Sequence, residues 1–311
     1  MPSDPFMPIA LALFIASVVF CFLAARKLLG VIWAMVFMAA LLVWDGSAIT
    51  FNFASELFAI PWNNQVLFFT FAFYFWLFIT QIKKKPSWKI LIALAFISGY
   101  CFLTRQEAIL FIIPTVLAFL LVTKTSWKKS LVVFSLILFC FTLQLFVNFL
   151  VNHTVFSSGR EESYSKISRG YLQPSLLKRN IKEVIIGSSF YQNPDTAKPP
   201  IAADRQSLLQ AAPWLWLAPI GVMLIFILKR YPLGLKIFTI ISILLMLFYL
   251  SGVNMSGQKL RYHTLRYISS GFIVLNLGLA ITIKEGIGLG GVATKKLIKS
   301  IKPQEPDKGT L

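Results

Sequence analysis

Three short stretches of this chain bring together the residue types that acid–base and anion chemistry require. The first contains Asp45 and Glu56, two carboxylates that follow a long apolar stretch. A carboxylate at the edge of a bilayer is costly unless it faces protein, water or a partner. In a dry cleft its raised pKa would suit a general base; the plainer reading is a solvated loop. The second is Leu103-Thr-Arg-Gln-Glu-Ala108, where Arg105 and Glu107 sit between two apolar stretches with almost no loop. They either point into the mouth of a helix bundle, snorkel outward, or cap two helices as a local ion pair. The third is Lys259-Leu-Arg-Tyr-His-Thr-Leu-Arg-Tyr267. Lys259, Arg261 and Arg266 suit a lipid-linked phosphate, because guanidinium grips phosphate oxygens in a bidentate fork. Anchoring to lipid headgroups is the alternative use.

The elements that must position these residues are membrane helices. The chain has 311 residues, is 57% hydrophobic with 29 Phe, and has a mean hydropathy of +0.73. A bundle facing lipid needs that much apolar surface and a soluble fold of this length does not. The expected fold is therefore all-α, a polytopic transmembrane bundle. Nine apolar stretches are legible, at 7–24, 28–46, 65–82, 90–103, 107–123, 130–151, 213–228, 233–252 and 268–283. Several approach the length of about 20 residues that a helix needs to cross hydrocarbon. The pair at 90–103 and 107–123 is short and must tilt, thin the bilayer or lie among its neighbours.

Charge orients the spans. Alternate turns carry Arg26–Lys27, Lys83–Lys84–Lys85–Lys89, Lys124–Lys128–Lys129 and Lys229–Arg230–Lys236, and the tail runs basic from Lys284 to Lys308. These turns and the tail hold 18 of the 30 lysines and arginines, while nine of the 12 acids fall on or beside the opposite side. That is the positive-inside pattern, with the N-terminus outside and the C-terminus in the cytoplasm. The formal charge of +18 follows from orientation, so no nucleic-acid partner is expected. Trp88 and Trp127 suit the inner aromatic belt; Trp62, Trp214 and Trp216 suit the outer one. The first span is a retained helix, not a signal peptide, because its basic pair follows the apolar core.

One domain, 1–283, then contains the long external loop 152–212, and 284–311 is a basic cytoplasmic tail. Within the loop, Pro174 to Ile186 reads as an amphipathic helix between Pro174 and Gly187. Leu176, Leu177, Ile181, Val184 and Ile185 lie on one side of it and Lys178, Arg179, Lys182 and Glu183 on the other, as expected for a helix resting on the outer interface. The glycine run Gly286-Ile-Gly-Leu-Gly-Gly291 reads as a flexible exit from the last span, not a phosphate loop.

Cys21, Cys101 and Cys140 all fall in spans, without ligand or disulfide spacing, and read as small apolar fillers. His153 and His263 have no partner at zinc-ligand spacing. No cofactor is indicated, and a divalent metal is compatible with the chain but has no ligand set to support it. Asn152-His-Thr154 and Asn254-Met-Ser256 are external sequons that matter only in a host that glycosylates.

The stretch Ile97-Ser-Gly-Tyr-Cys-Phe-Leu-Thr-Arg-Gln-Glu-Ala-Ile-Leu-Phe-Ile-Ile-Pro114 resembles a segment of the glycosyltransferase-C superfamily. Its members are multi-span enzymes, such as protein O-mannosyltransferases and aminoarabinose lipid A transferases, that take a sugar from a polyprenyl-phosphate carrier. There the segment reads Gly, apolar residues, Thr-Arg-Pro-Glu, then an apolar span closing in Pro; Gln106 stands here in place of the Pro. Ala24-Ala-Arg-Lys-Leu-Leu-Gly30 resembles the family's basic elbow after an early span, and Arg266–Tyr267 its Arg-Tyr ahead of a helix. The family also places an acid where an early span returns to the outside; Glu56 fits best, with Asn63–Asn64 as the competing alignment. On this alignment the chain begins at the second family span, without the first span and its acid-bearing outer loop, and only Asp4 lies ahead.

The resemblance implies transfer of a sugar from a polyprenyl-phosphate carrier to a lipid, glycan or protein acceptor on the outer or lumenal side. The membrane would be the inner or plasma membrane of a bacterium or archaeon rather than the endoplasmic reticulum. Glu56 or Asp45, with Asp4 third, would deprotonate the acceptor hydroxyl. Arg105, Lys259, Arg261 and Arg266 would bind the lipid phosphate and stabilise its developing charge. Tyr262 and Tyr267 would pack on sugar or prenyl groups. Two other readings stand beside this one. An envelope polysaccharide polymerase or ligase would rest on Arg160, Arg169 and the loop. A non-catalytic transporter or assembly subunit would need broken helices and mid-membrane polar residues, of which Gln144 and Asn148 are the few examples.

Overall fold

The computed structural model describes residues 7–42, 64–104, 108–153, 174–182, 185, 209, 212–251 and 269–301. Everything described is helix or short turn. The helices are α1 (Met7–Leu29), α2 (Val31–Leu42), α3 (Asn64–Thr80), α4 (Trp88–Thr104), α5 (Ile109–Val122), α6 (Trp127–Asn152), α7 (Leu177–Asn180), α8 (Ala218–Ile227), α9 (Leu233–Leu250) and α10 (Ser269–Ile301). Turns of 3-10 helix, Pro174–Leu176 and Pro213–Leu217, lead into α7 and α8. Each predicted apolar stretch thus contains a helix. Four described segments are long and apolar enough to cross a membrane: Pro8–Leu29, Trp127–Val151, Leu233–Leu250 and Gly271–Gly288. The other five predicted spans contain shorter apolar helices.

Helix α3 is the axis of the bundle. Residues Val66, Leu67, Phe68, Phe71, Tyr74, Phe75, Leu77 and Phe78 are all buried, on every side of the helix. A helix that is apolar all round finds its place in the interior. Ring contacts set the directions of its neighbours. Phe20 of α1 meets Phe73 and Trp76, and Lys27 donates to the Thr80 carbonyl, so α1 runs parallel to α3. Phe71 on Phe111 and Phe78 on Phe119 make α5 parallel too. The chain reverses at Gly30 and again over 81–87, so α2, with Phe37 on Phe75, and α4, with Ser98 on Tyr74, run antiparallel to α3; so does α9, whose Gly234 and Phe238 meet Phe78 and Phe75. Helix α6 lies outermost, parallel to α4, with Lys129 over Trp88 near their beginnings and Phe102 on Phe141 further along.

Glycines allow the closest approaches. A Cβ on Gly221 of α8 would overlap the Gly278 carbonyl of α10, and one on Gly234 would overlap the Phe78 carbonyl. Close backbone contact through small residues is how membrane helices gain packing when lipid already satisfies their apolar surface. Ala218, Gly221 and Val222 of α8 meet α10 at Gly278, and the Leu217 carbonyl accepts from Thr282.

Three expectations change. Arg26–Lys27 do not form a turn: α1 continues to Leu29 and the chain reverses at Gly30 alone, at φ +92. Cations are favoured in the last helical turn, and glycine is the residue that takes the left-handed position after it. The run 286–291 is not a flexible exit but part of α10, which continues to Ile301; no side chain meets Gly286 or Gly288. The segment beginning at Pro174 keeps its predicted apolar side, since Leu177, Ile181 and Ile185 pack on the core while Lys178 and Lys182 are exposed. It does so by docking on a helix end: buried Asn180 donates its amide to the Leu250 carbonyl at 2.7 Å. Val184, Glu183 and the Arg179 side chain lie outside the described residues.

Candidate functional site

The helix directions sort the helix ends into two groups. At one end, which is rich in lysine, lysines from neighbouring elements close the C-termini of helices. Lys27 Nζ donates to the Thr80 carbonyl at 3.1 Å, Lys284 Nζ to the Leu29 carbonyl at 3.1 Å, and Lys236 Nζ to the Phe226 carbonyl at 3.0 Å. The last carbonyls of a helix have no partner within the helix and carry the negative end of its dipole. The cations of the positive-inside pattern therefore also serve as helix caps.

The same end holds the single described carboxylate. Glu285 pairs with the Arg230 guanidinium, and Tyr231 donates its hydroxyl to Oε1 at 2.8 Å. Burial pushes the Tyr231 phenol above its ordinary value, and the neighbouring Arg230 offsets part of the rise. The phenol is thus neutral at ordinary pH and available as a donor. This triad ties α10 to the turn between α8 and α9. The sequence signal for it was a lone acid at the start of the basic tail, facing Lys229–Arg230 across the alternation of turns.

The described interior is polar only in small, uncharged groups. Tyr74 and Ser98 share a buried hydrogen bond of 2.7 Å between α3 and α4. Asn276 donates to the Phe272 carbonyl. The buried hydroxyls of Thr115, Thr239 and Ser242 have no partner among the described residues. Gln144 donates to Asn148 at 2.8 Å within α6. No three His, Cys, Asp or Glu side chains come together among the described residues. Glu285, the one described carboxylate, is engaged by two donors.

The predicted site residues Asp4, Asp45, Glu56, Arg105, Lys259, Arg261, Tyr262, Arg266 and Tyr267 lie outside the described residues, as do Glu107, Arg160 and Arg169. The described helix ends beside them can be placed. α1 begins at Met7, α2 ends at Leu42, α3 begins at Asn64, α4 ends at Thr104, α9 ends at Leu250 and α10 begins at Ser269. By the directions above, and with Gly271 of α10 against Met246 near the end of α9 and Lys284 on the Leu29 carbonyl, all six lie at the end of the bundle opposite the lysine caps. Asn180 meets that end at the Leu250 carbonyl. No family model, no curated protein and no solved structure matches this chain.

Proposed function

We propose that this chain is an integral-membrane glycosyltransferase that moves a sugar from a polyprenyl-phosphate carrier to an acceptor at the end of the bundle opposite the lysine caps. The observation that carries the reading is that the helix ends flanking Asp4, Asp45, Glu56, Arg105 and the 259–267 cluster share that one end. In this reading the carboxylates and cations that adjoin those helix ends in sequence act together. The resemblance of residues 97–114 to the glycosyltransferase-C superfamily supports it. In this reading nine helical segments cross the bilayer, the shorter ones by tilting or thinning it. The lysine-rich end faces the cytoplasm, and the sugar is transferred outside.

The chemistry is displacement at the anomeric carbon. Glu56, with Asp45 or Asp4 as the alternatives, takes the proton of the acceptor hydroxyl as its oxygen bonds to that carbon. The bond from the anomeric carbon to the phosphate oxygen breaks, and the lipid phosphate leaves with the electron pair. Arg105, Lys259, Arg261 and Arg266 meet the charge that grows on it. Tyr262 and Tyr267 pack on the sugar or prenyl chain, and loop 152–212 covers the cleft.

The test uses the full chain in nanodiscs with undecaprenyl-phosphate-linked hexoses and pentoses and a membrane extract as acceptor. Loss of a general base is expected to lower turnover by about 100-fold or more, read as labelled sugar transferred by Glu56→Gln, Asp45→Asn and Asp4→Asn. Full transfer by all three variants would sink the reading. Loss with Arg160→Ala or Arg169→Ala alone would favour a polymerase or ligase.

A further inference from the structure

We propose that the paired beginnings of α4 and α6 form a docking edge for the headgroup of an anionic phospholipid. The proposal does not rest on the transferase reading. Each helix opens on the same step, Ser87-Trp88-Lys89 and Ser126-Trp127-Lys128. The helices run parallel and packed, so the two openings lie side by side at the lysine-rich end. Lys129 of α6 reaches across to α4, its Nζ 5.3 Å from the centroid of the Trp88 ring, and Lys128 Nζ lies 5.9 Å from the Trp127 centroid. Two ammonium groups are thereby held against two indole faces, a pairing that attracts cation to ring and holds both in place. The indoles remain open, with Trp88 46% and Trp127 71% exposed.

Two features select the occupant. No carboxylate lies in the turns that lead into α4 and α6 or in their first turns, so the edge carries positive charge alone. Directly beyond it the outer wall of α6 is apolar and exposed through Leu131, Leu138 and Phe139. Cations and indoles at headgroup level, above an apolar wall, match a molecule with an anionic head and acyl chains. A free phosphate would use the lysines and leave the wall without a role.

The experiment places the full chain in phosphatidylcholine nanodiscs containing brominated phosphatidylglycerol or brominated phosphatidylcholine at equal mole fraction. Quenching of tryptophan fluorescence is compared with the Trp88→Phe/Trp127→Phe variant to isolate the edge. The native chain is expected to be quenched about two- to five-fold more strongly by the anionic lipid, the scale set by a few lysines at a charged surface. Lys89→Gln/Lys128→Gln/Lys129→Gln is expected to bring the ratio to about one, while Arg26→Gln/Lys229→Gln, elsewhere on the same end, leaves it unchanged. If the triple variant does not fold, Lys128→Gln alone, at an exposed side chain, is expected to lower the ratio. A native ratio of one overturns the proposal. So does an equal fall in the Arg26/Lys229 variant, which would make the attraction diffuse.

Discussion

Helices α3 and α6 are both apolar and rich in phenylalanine, yet one is the axis of the bundle and the other its outer wall. In α3 nearly every side chain is buried; of the α6 span only 11% is. Hydrophobicity does not separate them, because lipid and protein interior are equally apolar solvents. One cross-helix bond does, although Thr70 and Thr80 of α3 also bond within their own helix. Tyr74 of α3 bonds across to Ser98 of α4. In α6 the polar groups turn inward on their own helix, Gln144 to Asn148 and Thr142 to the Leu138 carbonyl. A polar group bonded to another helix marks a packed position, and one bonded within its own helix is compatible with facing lipid.

The comparison can be broken most forcefully by removing a ring from each helix. Phe71→Ala opens a cavity beside Phe111 in a close-packed interior and is expected to cost about 3 kcal/mol. Phe139→Ala, at an exposed position on α6, is expected to stay within about 0.5 kcal/mol. Unfolding of both variants under force or by steric trapping in bicelles measures this, and equal losses would remove the distinction. A smaller effect is expected at the α8–α10 contact. Gly278→Val must push its side chain against the Ala218 carbonyl and Val222, at a cost of about 1–3 kcal/mol. Gly286→Val, where no atom lies nearby, should lose far less. Thermal unfolding of the two purified variants in detergent reads the difference. The smallest effect sharpens the polar argument. Tyr74→Phe is expected to lose about 0.6–1 kcal/mol with its cross-helix bond, while Gln144→Leu on α6 loses none. A stabilised Tyr74→Phe chain would show that the bond merely satisfies groups stranded by burial.

Much of the fold was legible in the chain. The nine apolar stretches coincide with helices because hydropathy is local and a membrane helix satisfies its own backbone bonds. The reversal between the first two helices was legible but placed at Arg26–Lys27 rather than at Gly30, since carrying those cations inside the last turn depends on a single left-handed residue. The apolar side carrying Leu177, Ile181 and Ile185 was legible from its period. Its docking was not, because a lone Asn180 gives no hint that it will meet the carbonyl of Leu250. The candidate site was legible only as residue types, since Asp4, Asp45, Glu56, Arg105 and the 259–267 cluster lie outside the described structure.

The sequence by itself determined where the helices lie and which of their ends are basic, because both follow from the composition of short consecutive stretches. Only the tertiary structure decided that α3 is central and α6 peripheral. It also decided that Glu285 answers Arg230 and Tyr231, and that Lys284 caps a helix ending at Leu29. The physical reason is distance along the chain. These contacts join residues tens to hundreds of positions apart, and nothing in the local pattern distinguishes a lysine that will cap a remote carbonyl from one that will face water.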